Sequence, residues 1–145
     1  SHFAPAFTVP ALELYRNNFQ PSNVLDEPYT MVGLNVIAAD TDEKAEKLAT
    51  SIQLQFLNLQ RGMPTKLLPP VDNMDDIWTM EEKYSVMQSL DPKATIVGSP
   101  ETVKKKLTAF IKETKTDEVI INSTIYDHED RLRSYEIVAE IADEA

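Results

Sequence analysis

Two stretches of this chain are apolar almost without alternation. Around them, apolar residues recur every three or four positions. The first stretch is Tyr29–Ala39 and the second is residues 118 to 123. A strand covered on both faces reads this way, while spacing of three and four marks an amphipathic helix. The spacing predicts a first helix over residues 8 to 19, with Leu12, Tyr15 and Phe19 on one side, Thr8 as its cap and Pro10 in its first turn. A long helix follows the first strand. Thr41 caps it, acids fill its first turn, and Ala45, Leu48, Ala49, Ile52, Phe56 and Leu59 form its stripe, with Gly62 as the stop. Residues 62 to 73 read as an irregular loop with three prolines. Residues 74 to 89 read as one helix packed through Ile77, Met80, Tyr84 and Met87.

The remainder repeats the alternation. Ala94–Gly98 is a short apolar strand, and Ser99-Pro100-Glu101 is a compact helix start. Val103, Leu107, Phe110 and Ile111 turn inward from the helix that follows. Asp127 caps a last helix whose apolar face is Leu132, Tyr135, Val138, Ala139 and Ala142. Buried strands alternating with amphipathic helices mean an α/β fold with parallel pairing. No domain boundary is visible, so residues 1–145 read as a single domain.

Composition narrows the function classes. The chain has 145 residues, 24 acidic against 14 basic side chains, and a formal charge of -10. Nucleic acid binding needs clustered cations, and only Lys104-Lys105-Lys106 cluster here. The same balance disfavours an anionic lipid surface. There is no cysteine, which removes disulfides, thiolate metal sites and cysteine nucleophiles. No apolar run is long enough to span a membrane, and no signal peptide is visible. The start at Ser1 fits a chain cut from something longer, or simple Met removal. A cytoplasmic location is the expectation.

Few residues invite chemistry. His2 is either a ligand-facing side chain at a strand end or part of a frayed terminus. His128, within Asp127-His128-Glu129-Asp130, sits in a capped and solvated first turn; consecutive helical side chains diverge and do not converge on a metal. No metal site is expected. Gly98-Ser99-Pro100 at a helix start reads as a structural cap more than an anion site. Asn35, inside a buried strand, must be paired or face a cavity. Asn122, Ser123, Thr124 and Tyr126 follow a strand C-terminus, the end where ligands bind in α/β barrels and doubly wound sheets.

Four segments taken in order, Ser1–Pro5, Tyr29–Asp42, Ile96–Thr102 and Tyr126–Tyr135, resemble the C-terminal end of the bacterial luciferase-like flavin monooxygenases. That resemblance implies the C-terminal part of a TIM-type (β/α)8 barrel. The sixth strand would end at Ser1–Phe3, the seventh would be residues 29 to 39 and the eighth residues 118 to 123. Residues 62–92 would be an insertion before the last strand, and residues 127 to 143 the closing helix. Members use reduced flavin mononucleotide (FMN) and molecular oxygen to oxidise a small organic substrate. Some use a deazaflavin, and some bind flavin without known catalysis. The cofactor lies at the C-terminal mouth of the barrel, which would put His2 beside the isoalloxazine ring and Ser123 and Tyr126 near the mouth. About three parallel strands cannot close a barrel. The chain by itself is therefore expected to lack turnover and to leave strand edges and an apolar inner face open. Its partners would be a second copy or the missing N-terminal part. A second reading takes the chain as a non-catalytic α/β module that dimerises through its open sheet.

Overall fold

Successive residues of β1 (Met31–Ala38) turn to two different helix layers, which is why this run reads as apolar throughout. The computed structural model describes residues 5–90 and 94–144. In it β1 is the middle of a three-stranded parallel sheet of order β2-β1-β3. β2 (Thr95–Gly98) pairs from Asn35↔Thr95 to Ala38↔Gly98, and β3 (Glu118–Asn122) from Met31↔Glu118 to Asn35↔Asn122. The helices are α1 (Thr8–Asn18), α2 (Asp42–Gln60), α3 (Met80–Ser89), α4 (Pro100–Thr114) and α5 (His128–Asp143). The fold is α/β, and the sheet is open rather than closed into a barrel.

On one face, Val32, Leu34, Val36 and Ala38 pack with Val103, Leu107 and Phe110 of α4 and with Ile137, Val138 and Ile141 of α5. On the other, Ile37 and Ala39 meet Ala45, Leu48, Ala49 and Ile52 of α2, with Ile125 wedged beside them. Each fully buried aliphatic side chain contributes about 1.5–3 kcal/mol of transfer free energy, so β1 anchors both layers. A third cluster of Leu54, Leu57, Met74, Trp78 and Val86 ties α2 to α3. At the strands' N-terminal edge Asp117 clasps β1: its Oδ2 accepts from the Thr30 N–H at 2.7 Å and from the Thr30 hydroxyl at 3.0 Å.

Several expectations need correction. Residues 118 to 123 do not form a strand buried on both faces: β3 is an edge strand, with Ile120 57% exposed. The inner face is not wholly open either. α2 covers its C-terminal half, while Met31 and Ile120 remain uncovered. Residues 74 to 89 are not one helix. A 3-10 turn (Met74–Asp76) ends at Ile77, and Thr79 opens α3 with a capping box completed by Glu82. That restart turns Ile77, Met80, Tyr84 and Met87 outward and buries Trp78 and Val86. Thr8 is a buried first residue of α1, preceded by a 3-10 turn (Pro5–Phe7), and not its cap. Leu54 and Leu57, not Leu59, extend the buried face of α2, and Thr114 replaces Ile111 on α4.

The helix ends follow local chemistry. Gly62, at φ 72°, stops α2 through a Schellman motif: its N–H donates to the Leu59 carbonyl and the Met63 N–H to that of Asn58. α4 ends on Lys115 at φ 51°, a left-handed conformation that glycine tolerates without steric penalty. Lys115→Gly keeps the carbonyl that Arg16 Nη2 donates to at 2.7 Å. It is expected to gain about 0.5–1 kcal/mol of stability, seen as a higher urea midpoint with an unchanged slope.

Candidate functional site

Parallel strands end together, so the loops after β1, β2 and β3 share one edge of the sheet. The ladder between β1 and β3 stops at Asn35↔Asn122. Beyond it, two serines take over the main-chain groups of β1. The Ser123 hydroxyl donates to the Val36 carbonyl at 2.7 Å, and the Ser134 hydroxyl lies 3.2 Å from the same oxygen. Ser134 Oγ also accepts from the Ala38 N–H at 3.0 Å, and the two hydroxyls are 2.9 Å apart. The Tyr135 hydroxyl accepts from the Ser123 N–H at 3.0 Å. Both serines are buried. This part of the edge is therefore a closed hydrogen-bond network beneath the loop that carries Tyr126.

Next to it, α2 and α4 start side by side. Asp42 Oδ1 accepts from the Ser99 N–H at 2.7 Å, so a carboxylate of this chain fills the anion-attracting start of α4. That bond, followed by one to Thr102, holds the Asp42 carboxyl below its ordinary pKa. A depressed folded-state pKa adds stability above the unfolded value, and that stability is lost as pH falls through the folded one. Asp42→Asn should therefore lower stability at neutral pH, with the difference from the parent chain shrinking as pH falls below the carboxylate range. Urea titrations across pH check this.

Charge pairs brace the same rim. Arg133 donates to Asp40 Oδ1 at 2.9 and 3.0 Å, and Lys44 pairs with Asp130 at 2.9 Å. Asp127 caps α5 by accepting from the Asp130 N–H at 3.0 Å, and His128 Nδ1 lies 2.7 Å from Arg131 Nη2. Among the described residues no group of three or more His, Cys, Asp or Glu is placed to hold a metal ion.

Two cavities open near this edge. One, of about 250 Å³, lies between the sheet and α2, lined by Asn35, Thr95, Asn122, Thr124, Ile52 and Phe56 among others. The second, of about 630 Å³, lies against α2 and the 72–87 segment. Trp78, Met74 and Met87 line it, with Glu43, Glu46, Asp72 and Asp75. Lys47 and Lys83 also line it, each already paired, to Asp72 and Asp75 respectively.

The residues singled out from sequence fall in different places. His2 lies outside the described residues. Ser123 points inward and is fully engaged, Tyr126 is 52% exposed on the rim, and Asn35 is both paired and beside a cavity. Sequence reading missed Ser134, because the inner face of α5 is Ser134, Ile137, Val138 and Ile141 rather than a stripe through Leu132 and Tyr135, which are partly exposed. The spacing of Ile137 and Ile141 is the signal that marks Ser134 as inward. Asp42 has no comparable signal, since its partner Ser99 is distant in sequence.

Comparison with known proteins adds the following. No family model matches the chain. It is 57% identical to the uncharacterized protein YvbT of Bacillus subtilis over 141 residues, 97% of this chain and 41% of that protein. It is 44% identical to a luciferase-like monooxygenase of Escherichia coli K12 over 144 residues, 99% of this chain and 42% of the relative. The crystal structure of apo-MsnO8 superposes with a TM-score of 0.79 at 27% identity, over 99% of this chain and 44% of that one. The chain thus spans about two fifths of the length of the curated relatives it matches, and over nearly all of its own length it resembles part of a luciferase-like monooxygenase.

Proposed function

We propose that this chain is the C-terminal part of a cytoplasmic, flavin-dependent monooxygenase of the luciferase-like family, one domain with residues 62–92 as an insertion. The carrying observation is the match to a luciferase-like monooxygenase over 99% of the chain at 44% identity. The parent would oxidise a small organic substrate, with reduced FMN and oxygen supplying the chemistry. The rim bearing Tyr126 would lie near the flavin, together with His2. Ser123 would act by fixing that rim, since its hydroxyl is bonded inward.

The described residues do not fit a flavin by themselves. The starts of α2, α4 and α5 are engaged by Thr41, Asp42 and Asp127, and Lys44 is paired with Asp130. The larger cavity is rimmed by four carboxylates, which repel a phosphate. The smaller, of about 250 Å³, lies below the usual range of about 300–1,000 Å³ for ligand pockets. The flavin site is therefore assigned to the parent protein, and the chain alone is given no turnover. Exposed Met31 and Ile120, neighbours on the uncovered half of the sheet, are where the rest of the parent or a second copy would pack. That face equally serves the non-catalytic, dimerising module.

Titration with FMN, read by flavin fluorescence, separates these readings. The longer protein containing this segment is expected to bind FMN saturably, and the 145-residue chain is not. Saturable binding by the short chain would overturn the assignment of the site to the parent. Failure of the longer protein to bind FMN or a deazaflavin would overturn the flavin reading itself.

A further inference from the structure

One helix of this chain leaves a row of apolar side chains in solvent. On α3, Met80 is 80% exposed, Tyr84 69% and Met87 47%. At about 100° per residue these three share one side of the helix, and Val86, buried against α2, points away from them. α2 decides where the row looks. Ala45 and Leu54 lie two and a half turns apart, so they project to opposite sides of α2. Ala45 belongs to the cluster on the sheet, and Leu54 to the cluster with Trp78 and Val86. The layers therefore run sheet, α2, α3, and the row faces away from the sheet. The strand edges and the uncovered half of the sheet, where the rest of the parent would pack, belong to a different layer.

We propose that this face of α3 docks a second copy of the chain, as an antiparallel helix pair built on Met80, Tyr84 and Met87. Spacing of four and three is that of a helix seam. Across a two-fold axis, Met80 of one copy lies opposite Met87 of the other, and the two Tyr84 rings meet beside the axis. The flanks match in the same arrangement. Glu81 and Gln88 border the row on one side, and reversal sets Glu81 against Gln88 of the second copy, twice. Gln88 Nε2 gives one hydrogen to the Tyr84 hydroxyl at 2.9 Å and keeps its second for that carboxylate. The antiparallel arrangement also opposes the helix dipoles and parts the acidic first turns, with Asp75, Asp76, Glu81 and Glu82. A parallel pair would bring those acids together. Three anchors a side give a weak interface, with an expected dissociation constant of about 10–1,000 μM. The pairing uses described residues alone and is independent of the flavin reading.

Sedimentation equilibrium on the Ile120→Glu chain tests this, because a charge at exposed Ile120 blocks association through the sheet. That chain should still dimerise. Salt should tighten the dimer by screening the charge of -10 on each copy. Adding Tyr84→Glu should weaken dimerisation roughly tenfold or more, with native-like circular dichroism. Met80→Lys, at the most exposed position of the row, is the second variant and should do the same. Since the chain has no cysteine, Met80→Cys and Met87→Cys chains mixed with a short bis-maleimide report the orientation. Cross-linking should join the two different variants far more than either to itself. A monomer at every concentration would overturn the proposal. So would a dimer untouched by both charge substitutions, loosening by salt, or cross-linking of like to like.

Discussion

Ser134→Ala should cost this chain about 2–3 kcal/mol, well beyond the loss of one ordinary hydrogen bond. The reason is what the substitution leaves behind. The Ala38 N–H donates to Ser134 Oγ, and Ala38 is fully buried, so water cannot replace the hydroxyl. A buried donor left without an acceptor costs roughly 1–3 kcal/mol in desolvation, whereas a satisfied bond is worth about 1. The Val36 carbonyl still keeps the Ser123 hydroxyl, which limits the damage to one side of the network. Urea unfolding measures the loss, and amide exchange at Ala38 locates it. A loss below about 0.5 kcal/mol, with Ala38 still protected, would mean that the serine pair is not what closes this edge.

The network also couples. Ser123→Ala alone leaves Ser134 as the acceptor for Ala38 and as a neighbour of Val36. Each serine covers part of the other's role, so the double substitution should cost more than the two single losses added together. This ties the loop after β3 to the last helix through main-chain groups of the central strand. Tyr126 is thereby carried on a rim that is held from below.

Much of this architecture is written in local chemistry. Thr41, Ser99 and Asp127 are legible as caps because the hydroxyl or carboxylate and the third amide are close in sequence. β1 is legible because both its faces are covered from Leu34 onward, and Asn35 because a polar side chain in such a strand must be accounted for. The unread parts depend on distant partners. Val119, Ile120 and Ile121 look like a core strand, yet only position in the sheet decides that Ile120 meets solvent. Likewise Ile77, Met80, Tyr84 and Met87 keep perfect helical spacing. The capping box at Thr79 and the packing of Trp78 under α2 decide that this stripe faces outward. Strand order 2-1-3 rests on four residues of β2, too few for periodicity to speak.

Gly98→Ala should be the second severe change, with a loss of about 3 kcal/mol, at the upper end of ordinary overpacking. A Cβ built on Gly98 lies 2.5 Å from Thr102 Cγ2, 2.6 Å from Thr102 Cβ and 3.0 Å from Asp42 Oδ1. Trimming the threonine removes the contact with Cγ2 but leaves the contact with Cβ, which forbids a rescue. Alanine at position 102 retains that atom, so Gly98→Ala with Thr102→Ala should recover little of the lost stability. Relief has to come from moving the start of α4 away from the end of β2. That movement stretches the bond from the Ser99 N–H to Asp42, which joins α4 to α2. The expected result is a lower urea midpoint together with weakened dependence of stability on acid, because the shifted Asp42 loses the partner that depresses its pKa. Full recovery in the double variant would place the strain in the threonine methyl alone, and would refute the close approach of strand and helix as the reason glycine stands at position 98.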